Sequence, residues 1–190
     1  MEERPMGDAG LPRVPHPREH FAAFPGPVVA ASTGMGVGPI AEVGTDQVND
    51  QPWAIGLGYT NRDRKLKLMI RTVRPAEQLD PRGRPIENAE IQLHNFLART
   101  APRGHGAPAP TRADLDAKTE RVRTALADAT ATPVTITIDD VPVAGTRTDV
   151  LGATVIETLW NSYSVFITST PDHLGTVELH TATPADVAHL

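Results

Sequence analysis

The 190-residue chain carries 18 Lys and Arg against 23 Asp and Glu, a formal net charge of −5, with 39% hydrophobic and 4% aromatic residues. It has no cysteine, which excludes disulfides, thiol catalysis and zinc–thiolate sites. The charged opening Met1-Glu2-Glu3-Arg4-Pro5 leads into no apolar signal-like run, and nothing approaches the ~18 apolar residues of a membrane span, so a soluble, cytoplasmic protein is expected.

The length suffices for one domain with a sizeable core. Fifteen glycines and 18 prolines point to much irregular structure. Arginine outnumbers lysine 15 to 3 and alanine is abundant, a bias expected of a high-GC bacterial genome. The net charge hides an asymmetry. From residue 134 onward Arg147 stands alone against Asp139, Asp140, Asp149, Glu157, Asp172, Glu178 and Asp186, while residues 1–133 are nearly balanced. An acidic C-terminal third argues against nucleic acid binding there.

In chain order, residues 1–27 are studded with prolines and poor in apolar groups, and a flexible tail is expected, with a short helical piece at 18–24 whose Phe21 and Phe24 could dock. His16-Pro17-Arg18-Glu19-His20 spells H-x-x-E-H, the residue order of an inverted zinc-protease helix. Pro15 and Pro17 in and beside it argue against that helix, so no metal site is assigned.

The run Val28-Val29-Ala30-Ala31 feeds Ser32-Thr33-Gly34-Met35-Gly36-Val37-Gly38-Pro39. A phosphate loop of the Walker type ends in Gly-Lys-Ser/Thr, and the dinucleotide fingerprint places a third glycine where Pro39 stands. Neither requirement is met. The period-two glycines here, like Gly56 and Gly58, instead suggest strands with one bare face against which a helix packs.

A hairpin is predicted from Trp53-Ala54-Ile55-Gly56-Leu57-Gly58-Tyr59, a turn at residues 61–64, and the alternating run 65–73. Leu66, Leu68 and Ile70 are expected on one side, with Lys65, Lys67 and Arg71 on the other. Arg62, Arg64, Lys65, Lys67, Arg71 and Arg74 make this hairpin basic and are the candidate partner-binding residues. A solvated edge guarded by basic side chains is the ordinary alternative.

A helix is predicted over 87–100 from Ile86, Ala89, Leu93, Phe96 and Leu97. A second opens at the capping box Thr111-Arg112-Ala113-Asp114 and carries a stripe of Leu115, Val122, Leu126 and Ala129. Glu90 and His94, four apart, offer at most half a metal site. Beyond Pro133 the period is two: residues 134–138, a turn at Asp139-Asp140, a short edge strand at 141–143, a hairpin of 154–160 and 163–168 around Asn161-Ser162, and a last strand at 176–181. Thr183-Pro184-Ala185-Asp186 reads as a helix start. Glu178 and His180 share a face of the last strand, as solvent-exposed side chains do. Asp172-His173 falls in a loop, and no G-x-S-x-G elbow accompanies it.

These elements imply an α+β fold: residues 28–190 as one domain, a mostly antiparallel sheet made of an N-terminal hairpin and a C-terminal meander, and two central helices. No catalytic, cofactor-binding or metal-binding residues are assigned. The leading expectation is a non-enzymatic protein-binding module of accessory or inhibitor/immunity type. The alternatives are a nucleotide- or phosphate-handling enzyme using Gly34, Gly36 and Gly38, and nucleic acid binding through the basic hairpin 62–74.

Overall fold

The computed structural model describes residues 16–32, 38–48, 51–61, 63–75, 88–101, 110–171 and 178–190. Its elements are α1 (Pro17–Ala23), β1 (Val29–Ala31), β2 (Ile40–Val48), β3 (Gln51–Thr60), β4 (Leu66–Val73), α2 (Ala89–Thr100), α3 (Arg112–Asp128), β5 (Ala131–Ile138), β6 (Val141–Val150), β7 (Ala153–Trp160), β8 (Tyr163–Ser169), β9 (Leu179–Thr181) and a closing 3-10 turn, Pro184–Val187. The fold is α+β, with the strands dominant.

All nine strands form one sheet in the order β1-β9-β5-β6-β7-β8-β4-β3-β2. Every pairing is antiparallel except a one-residue parallel contact, Ile138↔Leu179, between β5 and β9. Although β1 and β4 are far apart in this order, the Val29 amide donates to Thr72 Oγ1 at 3.2 Å. The Ala31 amide likewise donates to the buried Tyr59 hydroxyl at 2.8 Å. The sheet is therefore curled, and the β1–β9 pair lies across its inner face.

Side-chain alternation sorts each strand between two layers. Ile55, Leu57 and Tyr59 of β3, Leu68 and Ile70 of β4, Ile156 of β7, and Val165 and Ile167 of β8 join β1 in the inner core. On the opposite face Met69 and Val155 meet Leu93, Phe96 and Val122 of α2 and α3. Leu66 belongs with this second group and not with Leu68 and Ile70 as expected, because a register shift between Tyr59 and Thr60 breaks the alternation. On α3 the expected stripe is narrower: Val122 is buried, but Leu115 is 45% exposed.

Turn chemistry explains the tight connections. Asp139-Asp140, Leu151-Gly152 and Asn161-Ser162 join successive strands, and both residues of each pair have positive φ, as two-residue type I′ hairpins require. The short strand expected at 141–143 is the start of the ten-residue β6. Its β7 ladder begins only at Gly145, so Pro142 removes no hydrogen bond from that side. β2 was not anticipated. It pairs along β3 with Gly44 opposite Gly56.

Of the stretch expected as a tail, residues 1–15 lie outside the described residues and residues 16–27 take part in packing. The helical piece is present as α1, with Pro17 in its first turn. Phe24 is 6% exposed, joins the inner core, and meets Tyr163 edge-on with ring centroids 6.0 Å apart. His16 and Glu19 cap the helix, the Glu19 carboxylate accepting from the His16 amide at 3.0 Å, and His20 Nδ1 lies 2.6 Å from Thr45 Oγ1. The H-x-x-E-H stretch thus serves to begin and dock a helix.

Candidate functional site

β5 and β9 touch at one register position among the described residues, and the sheet opens between them. The opening is a slot of about 670 Å³, within the range of small-ligand pockets. Its floor is the inner face of the sheet: Val134, Ile136, Ile156, Ile167 and Leu68. Its rim carries Asp139, Asp140, Glu178, Arg147, Ser32 and His180.

Among the described residues the rim is acidic in effect, because the one guanidinium there, Arg147, is already engaged. Arg147 Nε donates to Asp149 at 3.0 Å. Thr154 Oγ1 also donates to that carboxylate, and together these hydrogen bonds hold Asp149 below the usual carboxylate range. Asp139 is held low in the same way, by the Thr181 hydroxyl at 2.6 Å and the Thr181 amide at 2.9 Å. These two bonds tie the β5–β6 turn to β9.

Two residues that line the slot, Ser32 and His180, join Asp186 behind them in a hydrogen-bonded chain of three side chains. Ser32 continues β1, its amide donating to Glu178 O at 2.8 Å, which makes Ser32 a diagonal neighbour of His180 on β9. Ser32 Oγ lies 3.4 Å from His180 Nδ1, and His180 Nε2 lies 2.9 Å from Asp186 Oδ1. The other oxygen of Asp186 accepts from the Thr183 amide at 2.7 Å and the Thr183 hydroxyl at 2.9 Å. Burial raises the Asp186 pKa, but these hydrogen bonds and His180 outweigh it and leave the carboxyl below its usual range.

Sequence reasoning treated His180 as a plain exposed residue. It is half-buried and committed to Asp186. No local signal links Ser32 to His180, because they are 148 positions apart and meet only through β1–β9 pairing. The helix-start signature at Thr183 does place Asp186, since the cap is what turns the chain back toward β9.

Asp139, Asp149 and Asp186, the depressed carboxyls of this site, give a signed pH dependence. Each stabilises the fold fully above the unfolded Asp pKa near 3.8, and that contribution is lost as pH falls through the lower folded value. Thermal melting followed from neutral pH to about pH 2 should therefore show stability falling below about pH 4. The acid limb should flatten in Asp139→Asn. An unchanged limb in that variant would remove Asp139 from the account.

The predicted basic residues divide. Arg62 lies outside the described residues. Arg64 and Lys65 are exposed, and Lys67 and Arg74 are half-buried. Arg71 is engaged: its guanidinium pairs with Asp46 and sits 5.5 Å from the centroid of the Trp53 ring. Of the expected glycine-bare face, Gly56 and Gly58 are described, and with Gly44 of β2 they line a cavity that Gln92, Asn95 and Arg99 of α2 also border. Contact there is incomplete. A cavity of about 320 Å³ remains, and Arg99 of α2 spans to Glu42.

Residues 33–37, including Gly34 and Gly36, lie outside the described residues, as do Asp172 and His173. Gly38 is described. Its amide donates to Thr60 O at 3.0 Å, and a Cβ there would come within 2.8 Å of the same oxygen. Close backbone approach accounts for Gly38. Glu90 pairs with Arg123 of α3 at 3.2 Å, and no group of three potential metal ligands occurs among the described residues. No helix among them is long and apolar enough to cross a membrane. No protein-family model, curated protein or solved structure matches the chain.

Proposed function

We propose that the chain is a protein-binding module that takes a basic, partly apolar segment of its partner into the slot between β5 and β9. The observation that carries this is the pairing of an apolar floor with a rim of Asp139, Asp140 and Glu178, where the one guanidinium among the described residues is neutralised by Asp149. Apolar side chains of the partner supply contact area. The rim selects for lysine or arginine beside them and repels acidic competitors. The acidic C-terminal third of the sequence supports the same reading, and the role that follows from it is an accessory or inhibitor/immunity-type one against a basic protein.

The test is affinity purification from the source cell with the full chain and with the double variant Asp140→Lys/Glu178→Lys. Asp139 is left intact because it also holds Thr181. The wild type should enrich a basic protein that is released as salt rises, and the variant should lose it. Identical protein sets from both baits, or a partner indifferent to salt, would overturn the reading.

A further inference from the structure

We infer that Ser32, His180 and Asp186 form an acyl-transfer centre in the wall of the slot, acting on an ester with an apolar acyl group. The geometry has the order such chemistry requires: hydroxyl, imidazole, carboxylate, at 3.4 and 2.9 Å. The ring is turned so that Nδ1 faces the serine and Nε2 faces the acid. An ionised Asp186 accepts a hydrogen bond from Nε2–H, which leaves the Nδ1 lone pair directed at Ser32 Oγ. That is the tautomer a general base needs. A 3.4 Å approach without substrate is in keeping with catalytic hydrogen bonds that tighten on binding.

Access supports the same assignment. Ser32 and His180 line the slot and also a second cavity of about 520 Å³, bounded by Ala31, Pro39, Ile40 and His189. Ser32 therefore borders both spaces. The acyl chain lies over Ile156, Ile167 and Leu68, and the alcohol portion lies in the second cavity.

The step balances without any further reagent than water. Ser32 Oγ bonds to the ester carbon while its proton passes to His180 Nδ1, and the alcohol leaves with that proton. Water then cleaves the acyl–Ser32 ester, releasing a carboxylic acid and restoring the hydroxyl. Ser32 and His180 are the catalytic residues, and Asp186 is a positioning residue. The Ser32 amide is already bonded to Glu178 O, so it does not serve as an oxyanion donor. Covalent capture is therefore the appropriate readout.

This inference shares the slot's apolar floor with the partner reading, but its test turns on Ser32 and not on the charges of Asp140 and Glu178, so the two fail separately. The full chain is treated with an alkyl fluorophosphonate, and adducts are located by mass spectrometry. One adduct, on Ser32, is expected, with fluoride lost. Ser32→Ala should give none, and His180→Gln should slow labelling about a hundredfold. Asp186→Asn should slow it at temperatures well below the variant's own melting transition, an effect that a purely structural Asp186 would not have. No adduct on the wild type, an adduct elsewhere, or labelling indifferent to His180→Gln would overturn the proposal.

Discussion

Deleting residues 1–27 is expected to lower the urea midpoint of unfolding by about 2 M, taking about 4 kcal/mol for loss of a buried phenylalanine and its neighbours and an m-value near 2 kcal/mol/M. The reasoning starts from Phe24. It is 6% exposed in the inner core and edge-on to Tyr163. Removing a buried Phe alone costs about 3–5 kcal/mol. The deletion also removes Pro25 O, which accepts from the Tyr163 hydroxyl at 3.3 Å, and the Arg18 side chain, which donates to Ala188 O. Phe24→Ala alone should reproduce most of the shift. Fluorescence of Trp53 and Trp160 reports the transition. A midpoint unchanged by either alteration would show that α1 contributes nothing to stability.

Gly145→Ala is expected to destabilise the fold by about 1–3 kcal/mol, and Gly145→Val by more, since overpacking forces backbone shifts of this cost. A Cβ at this position would fall 2.8 Å from Glu157 O, 3.3 Å from Thr158 Cβ and 3.5 Å from Ile156 Cγ2. The nearest of these is backbone oxygen, so no rotamer change relieves it. Thr158 Oγ1 donates to Ala144 O at 2.7 Å, clamping the two strands at the same point. Separating β6 from β7 here would also displace Val134, which pairs with Gly145 and floors the slot. Gly44→Ala is the control. Nothing lies within 4 Å of a Cβ at Gly44, so equal losses from both alanines would refute the steric argument.

Elements with a local signal were legible in the sequence. The capping box at Thr111 begins α3, Asn161-Ser162 turns β7 into β8, and the alternation of Ile55, Leu57 and Tyr59 puts them in the core. Where the signal was tertiary it failed. β2 has Glu42, Gly44, Asp46 and Gln47 among its residues and gains its strand character from the β3 ladder. Leu66 changes face through one register shift that no side-chain pattern announces. The slot leaves no sequence signal for the same reason. Its floor was legible as period-two residues, but its walls depend on how β5 and β9 diverge. Ser32, His180 and Asp186 carried only local meanings: a residue before a glycine run, a strand residue and a helix cap.

The β1–β9 ladder has a consequence for synthesis. Val29 and Thr181 are register partners, so the ribosome delivers one side of this pairing long before the other. Until residues 179–181 emerge, Val29, Ala30 and Ala31 have no strand to complete their edge, and neither the slot nor the Ser32–His180 contact exists. Pairings this distant in sequence form late and slowly. The Ser32–His180 contact is therefore completed only when the C-terminal strand docks.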